Sequence, residues 1–359
     1  MALGEQIEID VRTRMIAGQE LDMAARQPDV GNVIVHRAGD LLVLVDSGVT
    51  SVIRDAIRSA ADDLAPWSKI LLLTTHGHPD HVGNNDIITD LGKGLDKSNV
   101  HHFVSAHDAS QYHDHGLPYW TTSLDRVSGL VPGFEDPSAA TRRLLAMFQP
   151  YVPITDITRT YEELPLEHLA IGSQHMSGWS FGDGAVQVIR THGHCAGQVV
   201  VHLPEARLLH LSDEPNGPCG AMHDANQMNI FAALAQALTL VETDAVDIVT
   251  EGHAFEVFDR PTAAERLSTL LDQAAALDGA AQALLSGGID DLPAFVDAFV
   301  ARSQALGVSG ANPNPMFNTM MTIAKLRELG LVAKGKGPQQ TWSRPVLDDS
   351  MGAPSSSVE

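Results

Sequence analysis

Four residues, His76, His78, Asp80 and His81, crowd into the stretch LLLTTHGHPDHVGNN, just after an apolar run. Imidazole nitrogens and carboxylate oxygens are the donors that a divalent ion of the zinc type takes, and four such heads in one small volume need solvent or a cation between them. Side chains two residues apart in extended or turning backbone share a side, so His76 and His78 can chelate one ion. Adjacent side chains diverge, which points Asp80 and His81 elsewhere, where a second ion would collect them. The missing ligands must come from other strand ends, and RTHGHCAG, LLHLSDEP and VTEGHAF supply His194, Asp213 and His253.

These residues need elements that end beside them. KILLLTT is short and apolar on both faces, the pattern of an interior strand, and the His-rich stretch begins where it stops. AVQVIRT, QVVVHLP and RLLHLS read as three further strands, the first ending at His192 to His194 and the third at Asp213, and VDIVT leads to His253. NVIVHRAGDLLVLVDSG reads as a hairpin turning at Ala38 to Asp40 and ending at Asp46. A helix fits TSVIRDAIRSAADDL, capped by Thr50, with Val52, Ile53, Ala56 and Ile57 on one face. NVHHFVSA reads as a strand followed by a helix near Asp108, and ANQMNIFAALAQALTLVE as a helix capped by Asp224. From His113 to Gln174 the pattern is less regular apart from the helical SAATRRLLAMF, which suggests an insertion over the site. Alanine-rich helices follow from Thr262 to about Leu331, and GPQQTWSRPVLDDSMGAPSSSVE has the composition of an arm or loose tail.

At 359 residues and 44% hydrophobic, the chain has the composition of a soluble globular protein. No apolar run approaches bilayer-spanning length, and the N-terminus carries charges where a signal peptide needs its hydrophobic region, so a cytoplasmic protein is expected. With 45 acidic residues against 23 basic ones, a net charge of −22 repels phosphate backbones and anionic membrane surfaces. The expected partner is therefore a small-molecule substrate, with no nucleic acid and no membrane, in a homo- or hetero-oligomer. Cys195 and Cys219, with no CxxC spacing, exclude a disulfide framework, and Cys195 reads as a small buried residue. The 17 histidines, found in clusters, are the anomaly.

The order HxHxDH, GH, an aspartate after a strand, then GH, resembles the metallo-β-lactamase superfamily, and within it the glyoxalase II-like hydrolases. The resemblance runs from about Asn32 to Ala254. It implies an αββα sandwich, two mixed sheets face to face with helices outside and metals at one edge. It also implies that His76, His78 and His194 bind one metal, that Asp80, His81 and His253 bind a second, and that Asp213 bridges both. Asp46 matches the family's aspartate at the end of an early strand, which orients ligands. The cofactors would be two divalent ions, zinc first, with iron or manganese as alternatives. On this reading residues 1–261 form the catalytic domain with an insertion at about 108–175, 262–336 a helical C-terminal extension similar to that of some members, and 337–359 a tail or arm. No basic residues match the glutathione-binding positions of true glyoxalase II.

The implied reaction is hydrolysis of an ester, thioester, lactone, amide or activated aryl ether by a metal-bridging hydroxide, with Asp80 both ligand and orienter. The lack of a GxSxG elbow agrees with a route that needs no serine nucleophile. Two other classes fit parts of the pattern: a mononuclear iron, sulfur dioxygenase-like oxidoreductase and a non-catalytic metal-binding subunit of a complex. His223, Tyr119 and Trp120 are candidates for a substrate pocket; Tyr112 and Phe134 are weaker ones, since packing explains such aromatics equally well. His192 and His210 flank the motif and read as structural.

Overall fold

The computed structural model describes residues 1–216, 220–285, 291–308, 315–335 and 337–343. Cys219 and residues 344–359 of the proposed tail lie outside them.

The apolar runs form two seven-stranded sheets. The first orders β1 (Gln6–Asp10), β2 (Thr13–Ile16), β3 (Val33–Ala38), β4 (Leu41–Val45), β5 (Lys69–Leu73), β6 (Val100–Val104) and β7 (Thr158–Thr160). The second contains β8 (Glu167–Ile171), β9 (Gln174–Phe181), β10 (Val186–Arg190), β11 (Val199–Leu203), β12 (Leu208–His210), β13 (Ile248–Thr250) and β14 (Phe258–Asp259). The helices are α1 (Ser51–Asp63), α2 (Pro79–Val82), α3 (Ile87–Leu91), α4 (Ala109–Tyr112), α5 (Leu117–Asp125), α6 (Pro137–Leu145), α7 (Gln227–Glu242), α8 (Arg260–Leu285), α9 (Leu292–Ala305) and α10 (Pro315–Glu328).

Strand alternation assigns the layers. Along β4 and β5, Val43, Val45, Leu71 and Leu73 face Val186, Val188, Val199 and Val201 of the other sheet. The intervening Leu42, Leu44, Ile70 and Leu72 face the other way, toward Ile53 and Ile57 of α1. On the far side, Ile189, Val200 and Leu209 pack on α7 and α8 through Leu234, Leu240 and Leu267. Strands buried on both faces must be apolar throughout, and each such side chain contributes roughly 1.5–3 kcal/mol. The result is the expected αββα sandwich with a helical C-terminal extension, whose α9 and α10 share a buried cluster with α5 and α6.

Strand direction brings the site together. Parallel pairing of β4, β5 and β6 puts their C-terminal ends on one edge. In the other sheet β12 runs parallel to β13 and antiparallel to β11, as does β10, so β10, β12 and β13 all end on one edge too. A hydrogen bond from the Val199 N–H to the carbonyl of Thr75, 2.9 Å, ties these two edges to each other.

Three expectations differ from the structure. Val52 is 48% exposed, while Ile53, Ile57, Ala60 and Ala61 form the buried face of α1, because the helix axis lies one position round from the expected stripe. Asn226, not Asp224, caps α7 by accepting from the amide of Asn229; Asp224 is occupied by Tyr119 and the amide of Ala196. Strands β7, β8 and the start of β9 run through the stretch His113 to Gln174, where mixed polar and glycine residues hid their alternation. At the end of the described chain, β15 (Val332–Lys334) and β16 (Thr341–Ser343) form a hairpin with Trp342 buried.

Candidate metal centre

His76 and His78 leave the end of β5, Asp80 and His81 lie on α2, His194 follows β10, Asp213 follows β12 and His253 follows β13. All seven come together as two groups that share Asp213: His76, His78, His194 and Asp213, and Asp80, His81, Asp213 and His253. Within each group one ligand atom per residue lies within 4.8 Å of the others.

In the first group Nδ1 of His78 stands 3.0 Å from Nε2 of His76 and 3.2 Å from Nε2 of His194. Burial, together with neighbouring histidines, holds the His78 ring neutral with a pKa lowered to about 3, and burial lowers His76 and His194 as well. Neutral rings cannot donate mutually through three converging nitrogens, so this packing suits a cation that accepts their lone pairs. The second group is carboxylate-rich. His81 Nε2 lies 3.2 Å from Asp213 Oδ1 and 3.4 Å from Asp80 Oδ2, and His253 Nε2 lies 3.1 Å from Asp80 Oδ2 and 3.3 Å from Asp213 Oδ2. Burial opposes charge on both rings, yet Asp213, aided by Asp80 and Asp46 at His81 and by Asp29 at His253, raises both well above the usual histidine range. Burial likewise works against the carboxylates of Asp80 and Asp213, and the two histidines overcome it and hold them ionised. Both donor sets therefore fit a divalent cation.

The rings of His81, His253 and His78 are each turned by a partner on the other nitrogen, whereas His194 Nδ1 is buried without one. Asp46 Oδ2 lies 2.8 Å from His81 Nδ1 and accepts from the Thr75 hydroxyl, while Oδ1 accepts from the Thr75 amide, both at 2.7 Å. Asp29 Oδ1 lies 3.1 Å from His253 Nδ1. The Tyr119 hydroxyl lies 3.4 Å from His78 Nε2 and donates to Asp224 at 2.8 Å. Glu214 accepts from the amides of Gly193 and His194 at 3.1 and 3.0 Å, fixing the GH loop, and burial pushes its carboxyl up to about 7. Asp108 does the same for the Gly77 amide at 2.8 Å.

Backbone geometry is specific too. Asp46 and Ser212 adopt φ of 62° and 50°, a left-handed conformation that costs side-chain-bearing residues of order 1 kcal/mol and concentrates at functional sites. A Cβ on Gly252 would meet Asp213 Oδ1 at 2.0 Å, and one on Gly31 would meet the His81 ring at 2.5 Å. The glycine of VTEGHAF is thus a requirement of close approach.

Of the pocket candidates, Tyr119 and Trp120 are buried with ring centres 5.7 and 5.2 Å from that of His78, and His223 packs on Tyr119 at 4.7 Å while pairing with Ser123 Oγ at 2.8 Å. Tyr112 is buried in the insertion and Phe134 partly so, away from these ring contacts. His210 is buried against Thr250, and His192 packs on His107. Cys195 is buried, as expected. Sequence reasoning did not single out Asp29, Asp108 or Glu214. Only Glu214 carried a signal, its place directly after Asp213.

The sequence pattern of the metallo-beta-lactamase superfamily matches residues 26–253, and the chain belongs to that superfamily. Solved structures of the same fold include a β-lactamase domain protein from Burkholderia ambifaria, 18% identical over 96% of this chain and 94% of that one, with a TM-score of 0.59. A metallo-β-lactamase family protein from Thermus thermophilus is 17% identical over 92% and 98% of the two chains, TM-score 0.53. A stereoselective inverting sec-alkylsulfatase from Pseudomonas sp. is 16% identical over 91% of this chain and 50% of its own, TM-score 0.53. No curated protein matches the chain significantly.

Proposed function

We propose that this chain is a dinuclear metal-dependent hydrolase of a small molecule. The observation that carries the reading is the shared carboxylate: Asp213 Oδ2 faces His194 Nε2 at 3.6 Å and His253 Nε2 at 3.3 Å, while Oδ1 faces His81 at 3.2 Å. His76, His78 and His194 would hold one ion and Asp80, His81 and His253 the other, with zinc the ion that this nitrogen-rich set suits, ahead of iron or manganese. Such a pair supplies Lewis acidity and a water acidic enough to react near neutral pH. The chain's own residues do the rest. Asp80, 7% exposed and held ionised, offers a carboxylate edge that orients attacking water. Asp46 and Asp29 fix the Nε2 directions of His81 and His253. Tyr119 and Trp120 wall the His78 side against bulk solvent. The complete second group favours this reading over one iron with oxygen chemistry.

The test is a screen of the metal-loaded protein against ester, thioester, lactone, amide, aryl ether and sulfate ester substrates, the last included for the fold shared with the alkylsulfatase. Hydrolysis of at least one class, abolished in the His76→Ala, His78→Ala double variant, supports the proposal. Oxygen uptake with sulfur substrates and no hydrolysis overturns it.

A further inference from the structure

Arg126 follows directly on α5 and is 9% exposed, and its Nε and Nη1 are enclosed without a hydrogen-bond partner. No ion pair among the described residues includes it. In a chain with 45 acidic residues to 23 basic ones, a buried cation would readily find a carboxylate, so an unpaired one asks for a reason. The nearby acid, Asp224, is already engaged: Oδ1 takes the Tyr119 hydroxyl at 2.8 Å and Oδ2 the Ala196 amide at 3.0 Å. The other electrostatic neighbours of Arg126 are Arg327 on α10, Tyr119 and His223. Burial first, then Arg327, lowers the Arg126 pKa to about 10, which leaves it charged at neutral pH.

Tyr119, Ser123 and Arg126, at i, i+4 and i+7, share one face of α5. That face starts at the metal centre, where the Tyr119 hydroxyl is 3.4 Å from His78 Nε2, passes Ser123 Oγ at 2.8 Å from His223 Nδ1, and ends on the free guanidinium. Seven residues of helix span about 10 Å. With Arg327 adding like charge and Asp224 already held by Tyr119 and the Ala196 amide, the unpaired guanidinium of Arg126 is left as a receptor for a carboxylate, phosphate or sulfate. Resting on the hydrolase reading, we infer that Arg126, with Arg327 at its rim, binds an anionic group carried by the substrate about 10 Å from the bond that is cleaved.

Calorimetric titration of inorganic sulfate into the metal-loaded full chain tests the subsite without calling on turnover. Wild type binds, Arg126→Gln weakens binding roughly ten- to hundredfold, and Arg126→Lys retains most of it. The exposed Arg327→Gln, which leaves the fold undisturbed, weakens it severalfold. Sulfate binding that is equal in wild type, R126Q and R327Q overturns the inference, since the ion then lies elsewhere. Thermal melting separates a binding role from a structural one: R126Q melts at or above the wild-type temperature if the charge is kept for a ligand, and well below it if the guanidinium supports the fold, which also overturns the inference. On any ester pair that wild type hydrolyses, the kcat/KM preference for a distal carboxylate over its methyl ester falls at least tenfold in R126Q. If wild type hydrolyses nothing, the hydrolase reading fails, and the sulfate titration still decides the subsite.

Discussion

Asp29 Oδ1 lies 3.1 Å from Nδ1 of His253, so a loop aspartate far away in sequence turns the Nε2 of that ring toward Asp80 and Asp213. Asp46 performs the same service for His81. The second donor group is thus oriented by two carboxylates from the first sheet's side of the molecule.

Replacing either carboxylate should therefore loosen one ion and spare the other. Asp29→Asn is expected to weaken the second ion by roughly 10–100-fold, as is Asp46→Asn, with the first ion's affinity little changed. Competition against a chromogenic chelator reads both constants. Equal loss at both sites would show that Asp29 supports the fold as a whole.

Gly252→Ala should be as damaging as the loss of a ligand. The added Cβ would meet Asp213 Oδ1 at 2.0 Å, and Asp213 is the residue both groups share. The variant is expected to hold fewer than two ions per chain by elemental analysis while keeping its far-UV circular dichroism. Two retained ions would contradict the placement of Asp213.

Tyr119→Phe removes the hydroxyl 3.4 Å from His78 Nε2 and leaves the ring. Because the contact is long and neutral, the expected effect is a severalfold fall in first-site affinity, with no change at the second site in the same chelator assay.

Acid stability follows from three buried histidines. Burial lowers His102 to about 3 and His202 and His210 to about 4. An unfolded chain protonates its histidines near 6.5, so below that pH the unfolded state binds more protons than the folded one. Stability present above pH 6.5 is therefore lost as pH falls from 6.5 toward about 4, by of order 1 kcal/mol or more per ring. The melting temperature should decline steadily from pH 7 to pH 5, and His202→Gln, which lies away from the metal centre and pairs with Gln187, should flatten that slope. An unchanged slope would assign the acid sensitivity to the metal ligands instead.

The seven residues of the two donor groups and Asp46 were legible because each lies at or shortly after the end of an apolar run that reads as a strand, and the strand end names the position. Asp29 was not legible: it is a lone aspartate in QPDVGN, and only tertiary proximity gives it His253 as a partner. Asp224 looked like a helix cap because it precedes an apolar run, but burial beside Tyr119 gave it a stronger partner. Arg126 had no sequence signal either, since its isolation is a property of what surrounds it. Strands β8 and β9 were hidden by EHLAI and QHMSGWSF, where polar residues fall on both faces and, in β9, a glycine interrupts one of them.

The count of divalent ions per chain at saturation, by elemental analysis of the purified protein, tests the shared-carboxylate centre most directly. Two ions in wild type and one in His253→Ala are the expected result. A wild-type chain that saturates with a single ion, or a His253→Ala variant that keeps both, would contradict it.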